Sequence, residues 1–550
     1  MAITDAQYQA WLQQDSVTRV LLVEATYYHA GAEHTVYLSN GIFVSTPADT
    51  PANMPYDDVI LSIPQFQSSL SDGLEGFTVP SWGDIEISNE LFDKDDWLDY
   101  AWDGRSVVLL FGDQAWPRSD FRPVLSGTIA GISVPSSSRL RLAIRDKQWQ
   151  LNVPIQSKLI GEPTLTSGTT YKVSDTAVTS INSVWDNGVL LAPTTQYTTN
   201  ASAGTFTLVN AATGRVTAQF TDNSGSTAAS GAVVPLCFGQ CFNISPICIN
   251  SSLLKYQVHD GQIEAITDVR DNGVSVPFTA NLTEGTFTLS GSPAGQVTVD
   301  AKGAKPSGVY LTTAGSIINH IVLTRTGLTA ADISSASLAA FISKCPQTLG
   351  VYVSDRQNVI NVLDGIVNSV GGWYTFNRAG LMIFGRLDAA SGTPAAYINA
   401  DDVIFGGLSI TDISLPVATY RLGYRKNYTQ QTQVAGSVAG TLYNLANQVA
   451  VRNNDAIKTV NLLATEPDTK LTNIVSQTDA EAEAERLLTL FGTTRKTYQA
   501  ECITAPLTLN LGDIINFEHH RYGLDSGVDL VLTGIAESVT TRRVTLTLWG

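Results

Sequence analysis

The sequence YKVSDTAVTSINSVWDNG, residues 171–188, recurs 85 positions later as YQVHDGQIEAITDVRDNG, residues 256–273. Eight of the 18 positions are identical, and the pentapeptide GTFTL follows in both copies, beginning at Gly204 and at Gly285. Such repetition indicates one structural unit that is used twice. Because a short run rich in β-forming residues follows GTFTL in each copy, we predict a small β module.

Each copy contains an Asp-Asn-Gly step between two apolar runs. The Asn-Gly pair supplies the positive φ angles that a tight hairpin turn requires. The predicted turn residues are Asp186, Asn187 and Gly188 in the first copy and Asp271, Asn272 and Gly273 in the second. Because the copies share no acid, base or metal-ligand set, we assign these residues a structural role.

The composition indicates a β-rich protein of several domains. The chain has 550 residues, only 15% of them are charged, and the formal net charge is −17. That length exceeds what one hydrophobic core supports, and the shortage of Lys and Arg argues against broad nucleic-acid binding. The N-terminus MAITDAQYQAWLQQ lacks the features of a signal peptide, and no apolar run approaches a membrane span. We therefore expect assembly in a cytoplasm and no membrane-spanning segment.

Three cysteines, Cys237, Cys241 and Cys248, are close in the sequence and suggest a metal site. Their spacing matches no common zinc motif, and a fourth ligand would have to come from a distant cysteine or histidine. Buried reduced thiols explain the same pattern. The sequence favours burial but leaves open whether this cluster binds a metal.

Signatures of enzymes are missing from the sequence. It contains six histidines and no zinc-protease, phosphate-loop or serine-elbow motif. His519 and His520 are adjacent on a predicted strand, so they should point to opposite faces. The acidic run that includes Asp93, Asp95 and Asp96 fails the calcium-loop pattern. We predict no catalytic residue, no cofactor and no bound metal.

The fold class predicted from these patterns is mainly β and multidomain (α+β), with barrel or sandwich domains, the duplicated module and a small α/β domain. We expect an N-terminal β barrel at 1–150, the two modules as an insertion at 151–305, an α/β domain at 306–400 and a C-terminal barrel with one helix at 401–550. In the α/β domain, a capping box at Ser354 should begin a helix that ends at Gly371, and a second helix should cover 333–344. Thr478 should cap the C-terminal helix.

Several motifs resemble those of proteins from the tail tips of long-tailed phages. The sequences YLSNGIF, SWGDIEISNELFD and GRSVVLLFGDQAW are similar to the distal-tail family. The sequences GGWYTFNRAGLMIF, LTLNLGDIINFEHHRYGL and LVLTGIAESVTTRRVTLTLWG resemble the hub proteins of baseplates and tail tips. The modules, with the element Phe242-Asn243-Ile244-Ser245-Pro246, are similar to insertions in some siphophage hubs.

This resemblance implies a structural hub protein of the virion tail. Such a hub would form a homotrimeric ring, bind distal-tail or tail-tube proteins on one side and a central fibre or spike on the other, and let DNA pass through its lumen without specific binding. No cell-wall hydrolase domain is recognisable. The alternative interpretation is a carbohydrate-binding adhesin or polysaccharide depolymerase, although Trp185 and Arg270 occupy equivalent positions and so preserve no common sugar platform.

Overall fold

The computed structural model describes residues 3–14, 16–62, 66–70, 76–77, 83–156, 163–174, 176–187, 189–222, 233–250, 253–431, 443–503, 509–538 and 543–550. As the sequence predicts, the chain is mainly β and multidomain. No helix within these ranges is long and apolar enough to cross a membrane.

The N-terminal region begins with a helix and continues as strands. Its elements are α1 (Asp5–Leu12), β1 (Arg19–His29), β2 (Ala32–Ser39), β3 (Phe43–Val44), β4 (Pro55–Asp58), β5 (Ile60–Ser62), β6 (Phe66–Ser69), β7 (Gly76–Phe77), β8 (Asp84–Ser88), β9 (Ser106–Asp113), β10 (Arg122–Ser136) and β11 (Arg139–Arg145). Nine of these strands form one sheet in the order β3-β4-β2-β1-β9-β10-β11-β8-β5. Alternate buried side chains of the sheet pack with Tyr8 and Trp11 of α1, so the helix covers one side of this core.

The predicted N-terminal barrel is not closed. It is a curled sheet, and β4 and β5, which lie near opposite ends of the strand order, are consecutive in the chain. Strand β4 pairs with β2, and β5, which follows at once, pairs with β8. Between them, the Val59 amide donates to the Ser39 carbonyl (3.1 Å), and the Val59 carbonyl accepts from the Ser88 amide (2.8 Å). The ladder is therefore interrupted where a closed barrel would continue it.

The two modules have the same strand order. The first contains β12 (Thr164–Ser167), β13 (Thr170–Lys172), β14 (Val178–Asp186), β15 (Val189–Leu190), β16 (Tyr197–Asn200), β17 (Thr205–Leu208) and β18 (Val216–Asp222). After β19 (Leu236–Ile244), the second contains β20 (Ile247–Asn250), β21 (Lys255–Gln257), β22 (Ile263–Asp271), β23 (Val274–Ser275), β24 (Phe278–Asn281), β25 (Thr286–Leu289) and β26 (Val297–Ala304). The order β12-β13-β17-β16 corresponds to β20-β21-β25-β24, and β15-β14-β18 corresponds to β23-β22-β26.

The α/β region packs helices against a small sheet. Its elements are α2 (Ala314–Arg325), α3 (Ser335–Lys344), β27 (Gly350–Val353), α4 (Val359–Asn368), β28 (Gly372–Phe376) and β29 (Met382–Arg386). The apolar faces of the helices and of β28 and β29 form the largest core of the molecule, in which Tyr374, Ile366 and Ile317 are fully buried. Trp373 and Phe376 are buried as well.

Strands again dominate the C-terminal region. Its elements are β30 (Ala396–Ile398), β31 (Val403–Ser414), β32 (Thr419–Tyr424), β33 (Gln448–Asn453), α5 (Asp455–Val460), β34 (Lys470–Leu471), α6 (Gln477–Phe491), β35 (Arg495–Cys502), β36 (Ile514–His519), β37 (Leu524–Ser538) and β38 (Arg543–Trp549). The main sheet has the order β30-β36-β37-β38-β35-β31. Short 3-10 helices lie at Asp95–Asp99, Arg118–Asp120, Lys147–Leu151, Ala201–Ala203, Pro306–Gly308, Ala330–Asp332 and Ala400–Asp402.

Two predicted helix starts are wrong. Helix α4 begins at Val359 and not at Ser354, because the backbone of Gln357 is engaged with the segment before the modules: its carbonyl accepts from the Ile155 amide (2.9 Å). Helix α6 is capped by Ser476, whose hydroxyl accepts from the Asp479 amide (3.3 Å), and not by Thr478. The sequence interpretation also missed α1, α2 and α5, so the described part of the C-terminal region contains a helix beyond the one predicted there.

Sheets run across the predicted domain boundaries. Strand β6, from the N-terminal region, pairs with β37 in the C-terminal sheet, and β7 pairs with β28 in the α/β region. Strand β19 pairs with both β26 and β27, which joins the second module to the α/β region. The first module is different, because within the described residues its two sheets contain only its own strands.

Candidate functional site

The turn of the first module joins a hairpin to the loop that precedes β18. Asp186 accepts hydrogen bonds from the Thr213 amide (2.8 Å), the Thr213 hydroxyl (2.9 Å) and the Gly214 amide (2.9 Å). The pKa of Asp186 is lowered, chiefly because the Thr213 amide donates to its carboxylate. Asn187 has a φ of 48°, and Gly188 lies outside the described residues.

The turn of the second module has the same construction. Asp271 accepts from the Ala294 amide (2.6 Å) and the Gly295 amide (2.8 Å). Asn272 and Gly273 have φ values of 47° and 83°, the signs that a two-residue hairpin turn of type I′ requires. These carboxylates accept hydrogen bonds from the loops of their own modules, so each turn fastens a hairpin to a second loop.

The modules differ at one position of the sheet that carries the turn. Half-buried Trp185 of the first module corresponds to Arg270 of the second, which is buried. Arg270 forms ion pairs with Asp300 (2.5 Å) and Asp268 (2.8 Å) and donates to the Asn243 side-chain oxygen (2.9 Å). The second module thus has a buried charged network where the first has an aromatic side chain.

This charged network attaches the second module to the C-terminal region. The Arg270 guanidinium lies 5.0 Å from the ring centre of Tyr443, and the Asn243 amide group donates to Asn427 (2.9 Å). Beside it, the Gln431 side chain donates to the Thr298 hydroxyl (2.7 Å). The sequence interpretation treated Arg270 only as the absence of a sugar platform, because Asp300, Asn243 and Tyr443 are distant from it in the sequence.

The junction between the two ends of the chain is built from β6, β37 and the β28–β29 turn. Arg378, in that turn, forms an ion pair with Glu537 of β37, and both side chains are almost completely buried. The Arg378 guanidinium also lies 4.6 Å from the ring centre of Phe66 in β6. Burial raises the pKa of Glu537, and the Arg378 charge opposes that shift. Three distant segments therefore meet around one buried ion pair.

The cysteines suggested as metal ligands are not grouped around a common centre. Cys237 and Cys241 are buried in the core of the second module, whereas Cys248 is exposed. The Cys237 amide donates to Nδ1 of His259 (3.1 Å). Burial raises the pKa of the Cys241 thiol. In the described part of the chain, no group of three or more His, Cys, Asp or Glu side chains is arranged to hold a metal ion.

The remaining cysteines are buried, and aspartates of the acidic loop pair with neighbouring side chains. Burial raises the pKa of Cys345 to about 11 and that of Cys502 to about 12, which disfavours a reactive thiolate at neutral pH. In the acidic loop, Asp93 pairs with buried Lys94 (2.9 Å), and Asp95 accepts from the Asn89 side chain (2.8 Å).

The predicted orientation of the adjacent histidines is wrong. The rings of His519 and His520 stack with their centres 4.2 Å apart, instead of pointing to opposite faces. The reason is that β36 ends at His519, so the alternation of a strand does not extend to His520. Burial, followed by the influence of His520 and Arg521, lowers the pKa of His519.

Comparison with known proteins gives matches among solved structures only. No protein-family model and no curated protein matches the sequence. The chain is similar to a tail protein from Neisseria meningitidis MC58 (TM-score 0.35, 9% identity, 97% of each chain covered). It is also similar to the 43 kDa tail protein of prophage MuSo2 from Shewanella oneidensis (TM-score 0.37, 9% identity, 96% of this chain and 98% of that chain). A third match is to a chain of the virion of a native gene transfer agent (TM-score 0.39, 12% identity, 58% of this chain and 84% of that chain). These structural neighbours are therefore tail and virion proteins.

Proposed function

We propose that the chain is a structural component of a bacteriophage tail tip or baseplate. In this proposal it is a ring-forming hub that connects the tail tube to a central fibre or spike and organises peripheral fibres. The observation that carries the proposal is the placement of β6, a strand of the N-terminal region, in the C-terminal sheet beside β37. The sequence resemblance to hub and distal-tail proteins supplies the identity of the assembly.

The pairing of N-terminal strands with sheets of other regions suits a connector that transmits force. Domains that are joined only by a linker move relative to one another by default. Here β6 and β7 each cross from the N-terminal region into another sheet, and the buried Arg378–Glu537 pair lies at the same junction. A load applied at one end of the chain is therefore passed through paired strands to the other end.

The partners follow from this role. The chain would form a homotrimer, contact distal-tail or tail-tube proteins on one face and hold the fibre or spike protein on the other. The net charge of −17 would repel the phosphates of DNA that passes through the lumen. No catalytic residue and no cofactor are part of the proposal, and its place is the virion tail tip after assembly in the bacterial cytoplasm.

Two measurements on the full chain test the proposal. Labelled antibody fragments against the protein should decorate the tail tip of virions in electron micrographs, and the purified protein should image as a threefold ring with a central channel. A label on the capsid, or a monomer that hydrolyses envelope polysaccharide, peptidoglycan or peptides, would contradict the proposal. The second result would favour the depolymerase interpretation.

A further inference from the structure

In the second module, the outer face of strands β22 and β26 is a contact surface. Arg270, Thr298 and Asp300 lie on this face and are 6%, 0% and 8% exposed. The C-terminal region covers them, because Gln431 donates to the Thr298 hydroxyl (2.7 Å) and the Arg270 guanidinium lies 5.0 Å from the ring centre of Tyr443. This face of the module therefore serves as a binding surface in the second copy.

The first module leaves the equivalent face open. On strands β14 and β18, Trp185 is paired with Thr217, and Ser183 is paired with Gln219. Val184, between the two outer residues of β14, is buried in the core of the module, so the four paired side chains lie on the opposite side of the sheet. All four residues are half-buried and partly accessible to solvent. We call this set of four residues the Trp185 face.

The Trp185 face combines one aromatic ring with uncharged polar groups. Within the described residues, none of its four side chains has a hydrogen-bond partner in the protein. The indole N–H, two hydroxyls and one amide group are therefore available to donate and accept hydrogen bonds. Exposed Leu190 pairs with Trp185 from the neighbouring strand β15 and extends the apolar part of the face.

The contact of the second module excludes one occupant of the Trp185 face. The surface around Asn427, Gln431 and Tyr443 is already in contact with the second module of its own chain, so a second copy of the chain has no free surface of that kind to offer. The core of a protein–protein interface also contains several large apolar side chains, whereas this face surrounds one ring with small or amide groups. None of its four residues carries a charge, so the face supplies no counter-charge for an ionic ligand.

A neutral sugar matches this combination of groups. The C–H bonds of a pyranose ring present an apolar surface that can pack on an aromatic ring, and the sugar hydroxyls both donate and accept hydrogen bonds. Residues that face each other on paired strands have Cβ atoms about 4.5–5.5 Å apart. Thr217 therefore lies beside Trp185, and the pair of Ser183 and Gln219 forms the next row on the same face.

We propose that the Trp185 face of the first module binds a neutral polysaccharide. The second module has lost this capacity, because Arg270 and Asp300 stand at the equivalent positions and are covered by the C-terminal region. The site adds a binding activity to the structural role proposed above. It is a property of the single chain and does not depend on the assembly to which the chain belongs.

Affinity electrophoresis of the purified full chain tests this site. The gels contain dextran, mannan or galactan as neutral probes and alginate as an anionic probe. At least one neutral polysaccharide should retard the wild-type chain in proportion to its concentration, and alginate should not. A wild-type chain that migrates normally in all three neutral gels, or that alginate retards equally, would overturn the proposal.

The second module supplies a variant whose side chains this sheet can accommodate. Trp185→Arg with Gln219→Asp introduces the residues that the second module holds at the equivalent positions, Arg270 and Asp300. The change should lower the association constant for the retarding polysaccharide at least about tenfold, because it removes the ring on which the sugar packs. Leu165→Ser is the matched control, since Leu165 is 53% exposed on the other sheet of the module. Unaltered binding by the double variant would place the sugar elsewhere and refute the site.

Hydroxyl-radical footprinting locates the contact without any substitution. The retarding polysaccharide should protect Trp185 from oxidation, as read by mass spectrometry of its peptide. Trp149, which is 43% exposed and lies outside the modules, should be oxidised equally with and without the polysaccharide. A Trp185 that gains no protection would contradict the proposal even if the chain is retarded in the gel. The labelling of virions is a separate result, so this site and the proposed function can fail independently.

Discussion

At the scale of single residues, Arg270 shows how the second module is held in a fixed position. Its guanidinium is buried between Asp300 and the side chain of Asn243, and the same network reaches Asn427 in the C-terminal region. In the first module the equivalent residue is Trp185, and the position corresponding to Asp300 is occupied by Gln219. The charged side chains of the network therefore have no counterpart at these positions of the first module.

Replacement of Arg270 by Ala should destabilise the second module strongly. The change leaves Asp300 buried without its main partner, and removing one member of a buried ion pair costs about 3–5 kcal/mol. Urea denaturation that monitors the main unfolding transition measures the effect. The double variant Arg270→Met with Asp300→Leu should recover part of the loss, since it removes both charges. An Arg270→Ala chain that unfolds at the wild-type midpoint would show that the network does not hold the module.

The carboxyl group of Asp146 predicts an unusual dependence of stability on pH. Burial raises its pKa to about 7, Oδ1 accepts from the Gln148 amide (3.2 Å), and Oδ2 has no hydrogen-bond partner. Because the folded-state pKa lies above the unfolded value, the favourable contribution of Asp146 is complete below pH ~4 and is lost as the pH rises through 7. Asp146→Asn keeps an acceptor for Gln148 and cannot ionise.

The Asp146→Asn variant should therefore be more stable than the wild type at pH 8, by on the order of 3 kcal/mol, and equally stable near pH 4. Urea midpoints at the two pH values measure the difference. Asp186→Asn is the control of opposite sign: the pKa of Asp186 is lowered, so its removal should cost stability at pH 8. Equal midpoints for Asp146→Asn and the wild type at both pH values would show that the carboxyl group is not buried as described.

At the scale of elements, the sequence predicted those helices and turns whose formation depends on residues close together in the chain. Helix α4 and the β28–β29 hairpin follow from an apolar stripe and a turn sequence, both readable within a few residues. The start of α4 was misplaced because Gln357 pairs with Ile155, about 200 positions earlier, and that competition leaves no sign in the local sequence. The stacked pair His519–His520 was missed for a related reason, since the end of β36 decides the orientation of the rings.

The two modules share a sequence pattern but differ in how they are attached to the rest of the chain. We therefore predict different outcomes when each of them is deleted. The first has its own core, formed by side chains such as Val184, Phe206 and Phe220. The second shares β19 with the α/β region, and Ala304 of its last strand lies in the large central core. The predicted insertion at 151–305 is thus one separable module followed by one that is part of the body.

Replacement of 163–222 by a short Gly-Ser linker should leave the main thermal transition within about 2 °C of the wild type. The matched deletion of 247–304 removes β26 and should abolish that transition, because β19 and the central core lose a neighbouring strand. Scanning calorimetry with circular dichroism distinguishes the two results. If the first deletion unfolds the whole chain, the module is not an independent unit.

At the scale of the whole molecule, the decisive contacts join residues that are far apart in the sequence. The register of β6 on β37 pairs Ser68 with Ile535. No composition shift, turn motif or periodicity indicates that a four-residue segment near position 66 belongs to a sheet near position 535. For this reason the sequence predicted separate N-terminal and C-terminal domains, although the fold class itself was predicted correctly.

The shared strand predicts that the two ends of the chain unfold together. Phe66 is buried in the C-terminal core, and its ring packs against Arg378 beside the Arg378–Glu537 pair. Phe66→Ala should lose about 3–5 kcal/mol of packing free energy and loosen β6 from the C-terminal sheet. The N-terminal sheet keeps its own core around Leu21, Ile87 and Leu142, so it should remain folded when this contact weakens.

The expected result is a change in cooperativity and not only a lower melting temperature. In the wild type, scanning calorimetry should record one large transition for the N-terminal, α/β and C-terminal regions, because paired strands couple them. In Phe66→Ala, that transition should separate into two, with the N-terminal part distinguished by hydrogen exchange in β1 and β9. Ile42→Ala, at a site that is 75% exposed in the same region, should leave the single transition intact. A uniform shift of one transition in Phe66→Ala would mean that the regions are coupled through contacts other than β6, and the role of this strand as the connection between the two ends would have to be abandoned.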